Sequence, residues 1–369
     1  MPGFLLRHRV PRRACSLAVL ALLCAVALVL LPAAILLDGL ISTLIRLGTG
    51  RPGRRRVTRL ACFAAAYLGA EATGLVRVPL LRRSDEDAHF ALLDRLLARL
   101  FRTARRAFRL RVLPPEQGLE LPDGPLLVLS RHAGPGDSFL LVYALLEVAR
   151  RRPLVVLKRI LTLDPLIDLV LGRTRSCFVG RGAPARAEAT ERIGELSASL
   201  GPRDALLLFP EGGNFTAARR ERLLARLRRQ RRWRLLPKAA ALDHVLPAQP
   251  AGAFAAIEAA PPGTHVVFLA HTGLDRLESL ADVWRAIPLA DSVQLAWWAV
   301  PLAEIPAEEQ AQLTWLDRHW ARIDAWIDAR ATPVPEPVPE AAVEREPELE
   351  PELDLGSAPA VAPGESAPI

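Results

Sequence analysis

Between Cys15 and Ile45 the chain reads CSLAVLALLCAVALVLLPAAILLDGLISTLI, with Asp38 as its single charge. A stretch this apolar must be withdrawn from water, into protein or into lipid. A helix crossing a bilayer needs about 20 apolar residues. This run is too long for one upright span and too short for two spans and a turn. Pro32 and Asp38-Gly39 are natural break points, so the expectation is either a tilted span or a re-entrant hairpin. Arg7, Arg9, Arg12 and Arg13 precede the run, and Arg46, Arg51, Arg54, Arg55, Arg56 and Arg59 follow it. Basic residues at both ends favour the hairpin, with both ends cytoplasmic. A cleaved signal peptide is the alternative, but the run exceeds the usual apolar core of roughly 7–15 residues. A second apolar stretch, Leu60 to Leu80, is interrupted by Glu71 and Arg77 and reads as an interfacial helix. Residues 1–83 are therefore assigned to membrane-associated helices.

Residues 85–112 place Phe90, Leu93, Leu97, Leu100 and Phe101 at helical spacing, interleaved with Arg95, Arg99, Arg102, Arg105, Arg106 and Arg109. Such a helix suits an anionic membrane surface or packs on a domain with its arginines solvated; the pattern does not separate the two. From residue 125 short apolar runs alternate with helix-like stretches: LLVLS (126–130), LVVLK (154–158), CFVG (177–180), ALLLF (205–209) and HVVFLA (265–270). That alternation predicts an α/β domain with a largely parallel sheet over residues 84–330. After Arg330 the chain becomes Ala, Pro, Glu and Val without periodicity, and residues 331–369 are expected to be a disordered acidic, Pro-rich tail.

Charge is unevenly spread over the 369 residues. The overall +8 is the balance of −8 on the tail, which holds nine acids and Arg345, against +16 on residues 1–330. So cationic a body implies an anionic partner: nucleic acid, a phospholipid surface or a phosphorylated substrate. Cys15, Cys24, Cys62 and Cys177 form no CxxC pair, which argues against a disulfide framework or a zinc site.

SRHAGPGDSF (130–139) sets His132 and Asp137 five positions apart. His89/Asp94 and His319/Asp324 share the spacing, but both lie in helix-like segments, where positions i and i+5 are about 140° apart and cannot bond. Gly134-Pro135-Gly136 instead favours a tight turn, which can fold Asp137 back onto the imidazole. Asp137 would then fix the tautomer and leave the other ring nitrogen to take a proton from a substrate hydroxyl. Alternatively, Asp137 caps the following helix. The chain has no GxSxG elbow, so a serine hydrolase is not indicated, and no cluster of ligands suggests a metal.

Three further segments follow: SCFVGRG (176–182), LLLFPEGGNFT (206–216) and HVLPAQPAG (244–252). With HAGPGD, in this order and spacing, they resemble the four blocks of the glycerolipid acyltransferase family, whose type member is 1-acyl-sn-glycerol-3-phosphate acyltransferase. The resemblance covers roughly residues 120–275. It implies a single acyltransferase domain, a mixed, largely parallel sheet flanked by helices, preceded by N-terminal membrane helices. It makes His132 the general base on the acceptor hydroxyl and Asp137 its orienting partner. Arg181 would bind the acceptor phosphate, Glu211, Gly212 and Gly213 would complete the acceptor site, and Pro247 would shape the donor side. The family's Glu-Gly-Thr-Arg is here Glu-Gly-Gly-Asn, so the phosphate-binding charge rests on Arg181 alone or on Arg219 and Arg220, or the acceptor headgroup differs.

The implied function is transfer of a fatty acyl group from acyl-CoA or acyl carrier protein to a lysophospholipid, most simply 1-acyl-sn-glycerol-3-phosphate, giving phosphatidic acid. No cofactor beyond the thioester co-substrate and no metal is implied. The partners are a phospholipid membrane, the lysophospholipid acceptor and the thioester donor, with the active site facing the cytoplasm. Two other classes remain open. One is a catalytically silent membrane adaptor of the same fold, suggested by Gly213-Asn214. The other is a nucleic-acid binder resting on RRERLLARLRRQRRWR (219–234), disfavoured by the apolar N-terminus and the scarcity of aromatics among the cations.

Overall fold

The computed structural model describes residues 8–50, 53–116, 118, 120–134, 136–180, 182–277 and 279–330; the acidic tail lies outside them. The apolar run forms one continuous helix, α1 (Arg9–Thr49), with Pro32 inside it. There is no hairpin. Reversing the chain at Pro32 or at Asp38-Gly39 would unpair several backbone groups in an apolar segment, whereas continuing through a proline forfeits one hydrogen bond and adds one local clash. Asp38 does not break the helix either. Its carboxylate accepts the N–H and hydroxyl of Thr58 at 3.0 and 2.6 Å, joining α1 to the start of α2 (Arg56–Leu80). Near its other end, α1 is tied to the domain by Arg12 and Arg13, each 2.6 Å from Asp168. The two ties are about 39 Å apart at 1.5 Å per residue, and most apolar side chains between them face outward.

Helix α3 (Glu86–Phe108) starts where the Asp85 carboxylate accepts Ala88 N–H. Phe90, Leu92, Leu96 and Leu97 are buried, meeting Ala70 and Val78 of α2 and Leu146 of the domain. Its apolar face is therefore spent on protein contacts, and its arginines line the outside.

The sheet comprises β1 (Arg111–Val112), β2 (Leu126–Ser130), β3 (Arg152–Lys158), β4 (Cys177–Val179), β5 (Asp204–Leu208), β6 (His265–Thr272) and β7 (Ser292–Pro301), in the order β1-β7-β6-β2-β5-β3-β4. Strands β2 to β6 run parallel; β7 is antiparallel to β6, and β1 pairs parallel with β7. The expected α/β sheet is thus present, mixed and largely parallel. The connecting helices are α4 (Asp137–Tyr143), α5 (Pro165–Val170), α6 (Ala183–Ala198), α7 (Ala217–Arg229), α8 (Leu236–Ala240), α9 (Pro250–Ala259), α10 (Leu280–Ala286) and α11 (Glu309–Asp328).

Leu126 to Leu129 and Ala205 to Leu208 are all buried, because helices cover both faces of a parallel sheet and each strand reads as an unbroken apolar run. Leu127, Leu129, Leu206, Val266 and Phe268 pack toward α9 and α11. Leu126, Val128, Leu207 and Val267 pack toward α4 on the opposite face. This two-sided core fixes β2 at the middle of the sheet, and the loop leaving its carboxyl end carries His132.

Candidate active site

In an open parallel sheet, ligands bind outside the carboxyl ends of the strands. Here β2 ends at Ser130, and α4 starts at Asp137. Both oxygens of Asp137 lie near His132 Nδ1, at 2.9 and 3.0 Å. Asp137 Oδ2 also accepts the N–H groups of Ala133 and Gly134, at 2.6 and 3.3 Å. The carboxylate thus folds back onto the turn and does not cap α4, whose N-cap, Gly136, makes no side-chain cap bond. Burial alone would raise the Asp137 carboxyl, but the hydrogen bond and charge of His132, with His271 and Gly134, hold it below its ordinary value. An ionised Asp137 requires the proton on Nδ1 and leaves Nε2 as the basic atom. Among the described residues Nε2 has no hydrogen-bond partner, and the His132 side chain is 15% exposed while Asp137 is sealed.

The other two His–Asp pairs behave as helical spacing requires. His89 is buried and turns Nδ1 to the carbonyl of Asp85, and His319 stacks on Phe268 and accepts from Trp298.

The FPEG segment holds the His132 backbone. His132 N–H donates to Glu211 Oε1 at 2.8 Å, and its carbonyl accepts Phe215 N–H at 2.6 Å. Phe209 stacks on the imidazole with ring centroids 4.5 Å apart. The second Glu211 oxygen accepts Leu246 N–H at 2.8 Å, so one fully buried carboxylate clamps the HAGPGD turn to the residue before Pro247. Burial pushes the Glu211 carboxyl up to about 7, against the opposing pull of Arg131 and these two backbone donors. Gly212 has φ +69°, and a Cβ there would sit 2.5 Å from Gln249 Nε2; glycine alone meets both constraints easily. Gly213 borders the Arg219 guanidinium, which bonds the Asn214 carbonyl at 3.0 Å. Arg220 turns away to the carbonyls of Ala240 and Leu242 and to Asp243. Arg181 lies outside the described residues.

Three residues escaped the sequence reading. Arg131 is buried and pairs with Asp275, while also donating to the His271 carbonyl at 2.9 Å. His271 Nε2 faces the Arg131 carbonyl at 3.3 Å and lies 3.7 Å from Asp137 Oδ2. The available signal was HTGLD (271–275) at the end of an apolar run, because β6 adjoins β2. Burial, reinforced by the Arg131 charge, pushes the His271 imidazole down to about 4. The native protein therefore keeps His271 neutral while the unfolded chain protonates it below about 6.5. Its contribution to stability is lost as pH falls from 6.5 toward 4. Glu211 runs the opposite way, because its raised value means its contribution falls as pH climbs from about 4.5 to 7. The His271 effect is isolated by comparison with H271Q. Urea denaturation should find the stability gap between wild type and variant shrinking by up to about 3 kcal/mol across that acid window; a constant gap would mean that His271 titrates normally.

Residues 111–268 match the family model described as Acyltransferase. That span is an acyltransferase-family domain. The matched span holds His132, Asp137, Arg181, Glu211 and Pro247; His271 and Asp275 fall just beyond it. A similar solved structure is the 1-acyl-sn-glycerophosphate (LPA) acyltransferase PlsC from Thermotoga maritima, at 16% identity, covering 71% of this chain and 90% of that one, with a TM-score of 0.46. No curated protein matches the chain. Among the described residues, no group of three or more His, Cys, Asp or Glu could hold a metal ion.

Proposed function

We propose that this acyltransferase moves a fatty acyl group from a thioester, acyl-CoA or acyl carrier protein, to the free hydroxyl of a lysophospholipid, most simply 1-acyl-sn-glycerol-3-phosphate. The observation that carries the reading is the His132–Asp137 pair: a sealed carboxylate on Nδ1 and an unpartnered Nε2 at the open end of β2. Nε2 takes the hydroxyl proton as the oxygen attacks the thioester carbonyl, forming the new C–O bond. Collapse of the tetrahedral intermediate breaks the C–S bond, and the imidazolium returns its proton to the leaving thiolate. Asp137 stabilises the transient imidazolium. No acyl-enzyme is needed. Arg219, beside Gly213-Asn214, supplies a positive charge where the family carries its arginine, and with Arg181 it would hold the acceptor phosphate.

Helix α1 would anchor the enzyme. Its outward apolar surface exceeds what one upright span needs, and it is held at one end to Asp168 of the domain and near the other to Thr58 of α2. It would therefore lie along the bilayer surface, with the active site on the cytoplasmic side, where both thioester donors are found.

The test is an acceptor panel: full-length protein in phospholipid vesicles, one radiolabelled acyl-CoA, and lysophospholipids differing only in headgroup. Lysophosphatidic acid should be acylated at least about tenfold faster than lysophosphatidylcholine, since a guanidinium–phosphate monoester contact is lost with the latter. Equal rates would sink the acceptor assignment. Transfer to none of them, with the panel repeated on acyl carrier protein as donor, would favour the silent adaptor that Asn214 suggests.

A further inference from the structure

We propose that a cationic cleft at the C-terminal end of α3 binds the phosphate headgroup of an anionic glycerophospholipid at the bilayer surface, separately from the reaction centre. The proposal rests on the membrane association inferred above, not on the reaction. The cleft has a volume of about 790 Å³ and is walled by Arg102, Arg105, Arg106, Arg109 and Arg111, with Leu289 and Ala290 opposite them. Positions 102, 105 and 106 share one face of α3 and Arg109 follows at its end, and like charges at helical i, i+3 and i+4 spacings repel. The helix dipole favours cations near a C-terminus, yet Arg111 lies beyond the helix, in β1.

Among the described residues none of the five forms a salt bridge, and Arg111 bonds only the Ala290 carbonyl. Several arginines elsewhere are neutralised, among them Arg12 and Arg13 by Asp168, Arg175 by Glu86 and Asp204, and Arg220 by Asp243. The cluster also draws in α2. Arg59 reaches from α2 to the Ala107 carbonyl at 2.5 Å, and its guanidinium is pushed below its ordinary value by burial and then by Arg109 and Arg55. Arg55 and Arg109 both adopt left-handed backbone conformations, φ 47° and 58°. Glycine would meet that geometry at a helix end without strain; here arginine occupies both positions.

Placement supplies the ligand. Arg111 is paired with Ser292, Gln294 with Thr272, and Leu269 with Ser130, so the cleft opens at the same end of the sheet as His132. It lies three strands away, about 14 Å. One bilayer surface can meet both. The end of α1 is joined to α2 by Asp38–Thr58, and Arg56 of α2 donates to the carbonyls of Arg285 and Ile287, just before Leu289 of the cleft wall. Leu40, Ile41, Leu44 and Leu47 there are exposed. Apolar side chains would enter the hydrocarbon while the adjacent guanidinium groups sit at phosphate depth. No aromatic ring is among the lining residues, so a nucleotide base would have nothing to stack on.

The experiment uses the full chain in detergent micelles, titrated calorimetrically with dihexanoyl phosphatidylglycerol, dihexanoyl phosphatidylcholine and coenzyme A. Phosphatidylglycerol is expected to bind about tenfold tighter than phosphatidylcholine. R102Q/R105Q/R106Q/R109Q should abolish that preference with an unchanged melting temperature, the four-lysine counterpart should keep most of it, and H132A should leave it intact. Undiminished preference in the glutamine variant would overturn the proposal. So would loss of coenzyme A binding with phosphatidylglycerol binding unaffected, which would make the cleft a nucleotide-phosphate site. Binding is read without turnover, so an inactive wild type would sink the proposed reaction and leave this result standing.

Discussion

Alanine at position 132 is expected to lower acyl transfer by about 10²- to 10⁴-fold, the range a positioned general base contributes, with little change in stability. The imidazole is partly exposed and stacks on a single ring, Phe209, so removing it opens no sealed cavity. Asparagine at position 137 should cost a similar factor for a different reason. The amide preserves the shape, but its NH₂ can face Nδ1 and favour the tautomer that protonates Nε2. Single-turnover assays with one acyl-CoA and lysophosphatidic acid would separate chemistry from binding. The expected signature is a lost rate with donor and acceptor affinities unchanged. An H132A protein turning over within a few-fold of wild type would take the imidazole out of the reaction and leave Asp137 a turn-forming residue.

The readability of this site varied with the kind of constraint each residue obeys. His132 and Asp137 lie five positions apart across a Gly-Pro-Gly segment that excludes a helix, so local geometry announced their contact. The strands β2 to β6 were legible as short apolar runs, most clearly β2 and β5, which are buried along their whole length. Strand β7 was missed, since SVQLAWWAVP is only partly buried along its length and breaks that pattern. Arg131, His271 and Asp275 depend on β6 lying beside β2, a pairing between residues about 140 positions apart that no local signal encodes. The hairpin expected of α1 failed because break-point rules weigh Pro32 and Asp38 one at a time. A helix, once nucleated, gains a hydrogen bond with each added residue, and Asp38 finds its partner in Thr58, on the next helix.

The same distinction between local and long-range constraint governs Glu211. Its carboxylate is sealed and reaches two backbone donors, His132 N–H and Leu246 N–H, which belong to segments 79 and 35 residues away. E211A would strand both donors in the core. Each buried unpaired N–H costs about 1–3 kcal/mol, so a loss of roughly 2–6 kcal/mol is expected, with activity falling further than stability, since the freed turn no longer aims Nε2. E211Q keeps one accepting oxygen and turns its NH₂ against the other N–H, so one donor is left unpaired and the loss should be intermediate. Urea midpoints at pH 7 should therefore rank wild type above E211Q above E211A. The Leu246 half of the clamp has independent support: Asp324 accepts the N–H groups of Asp243, His244 and Val245, and Trp320 donates to the Leu246 carbonyl. Among the described residues, the backbone of the HAGPGD half is held by the Phe215 bond and the Asp137 turn, beside the Phe209 stack on His132. The damage in E211A should accordingly concentrate at residues 131–136, read as faster hydrogen exchange there than at 243–246. Equal protection of the two segments in E211A and wild type would mean that the turn holds itself, and that this glutamate is not what aims the base.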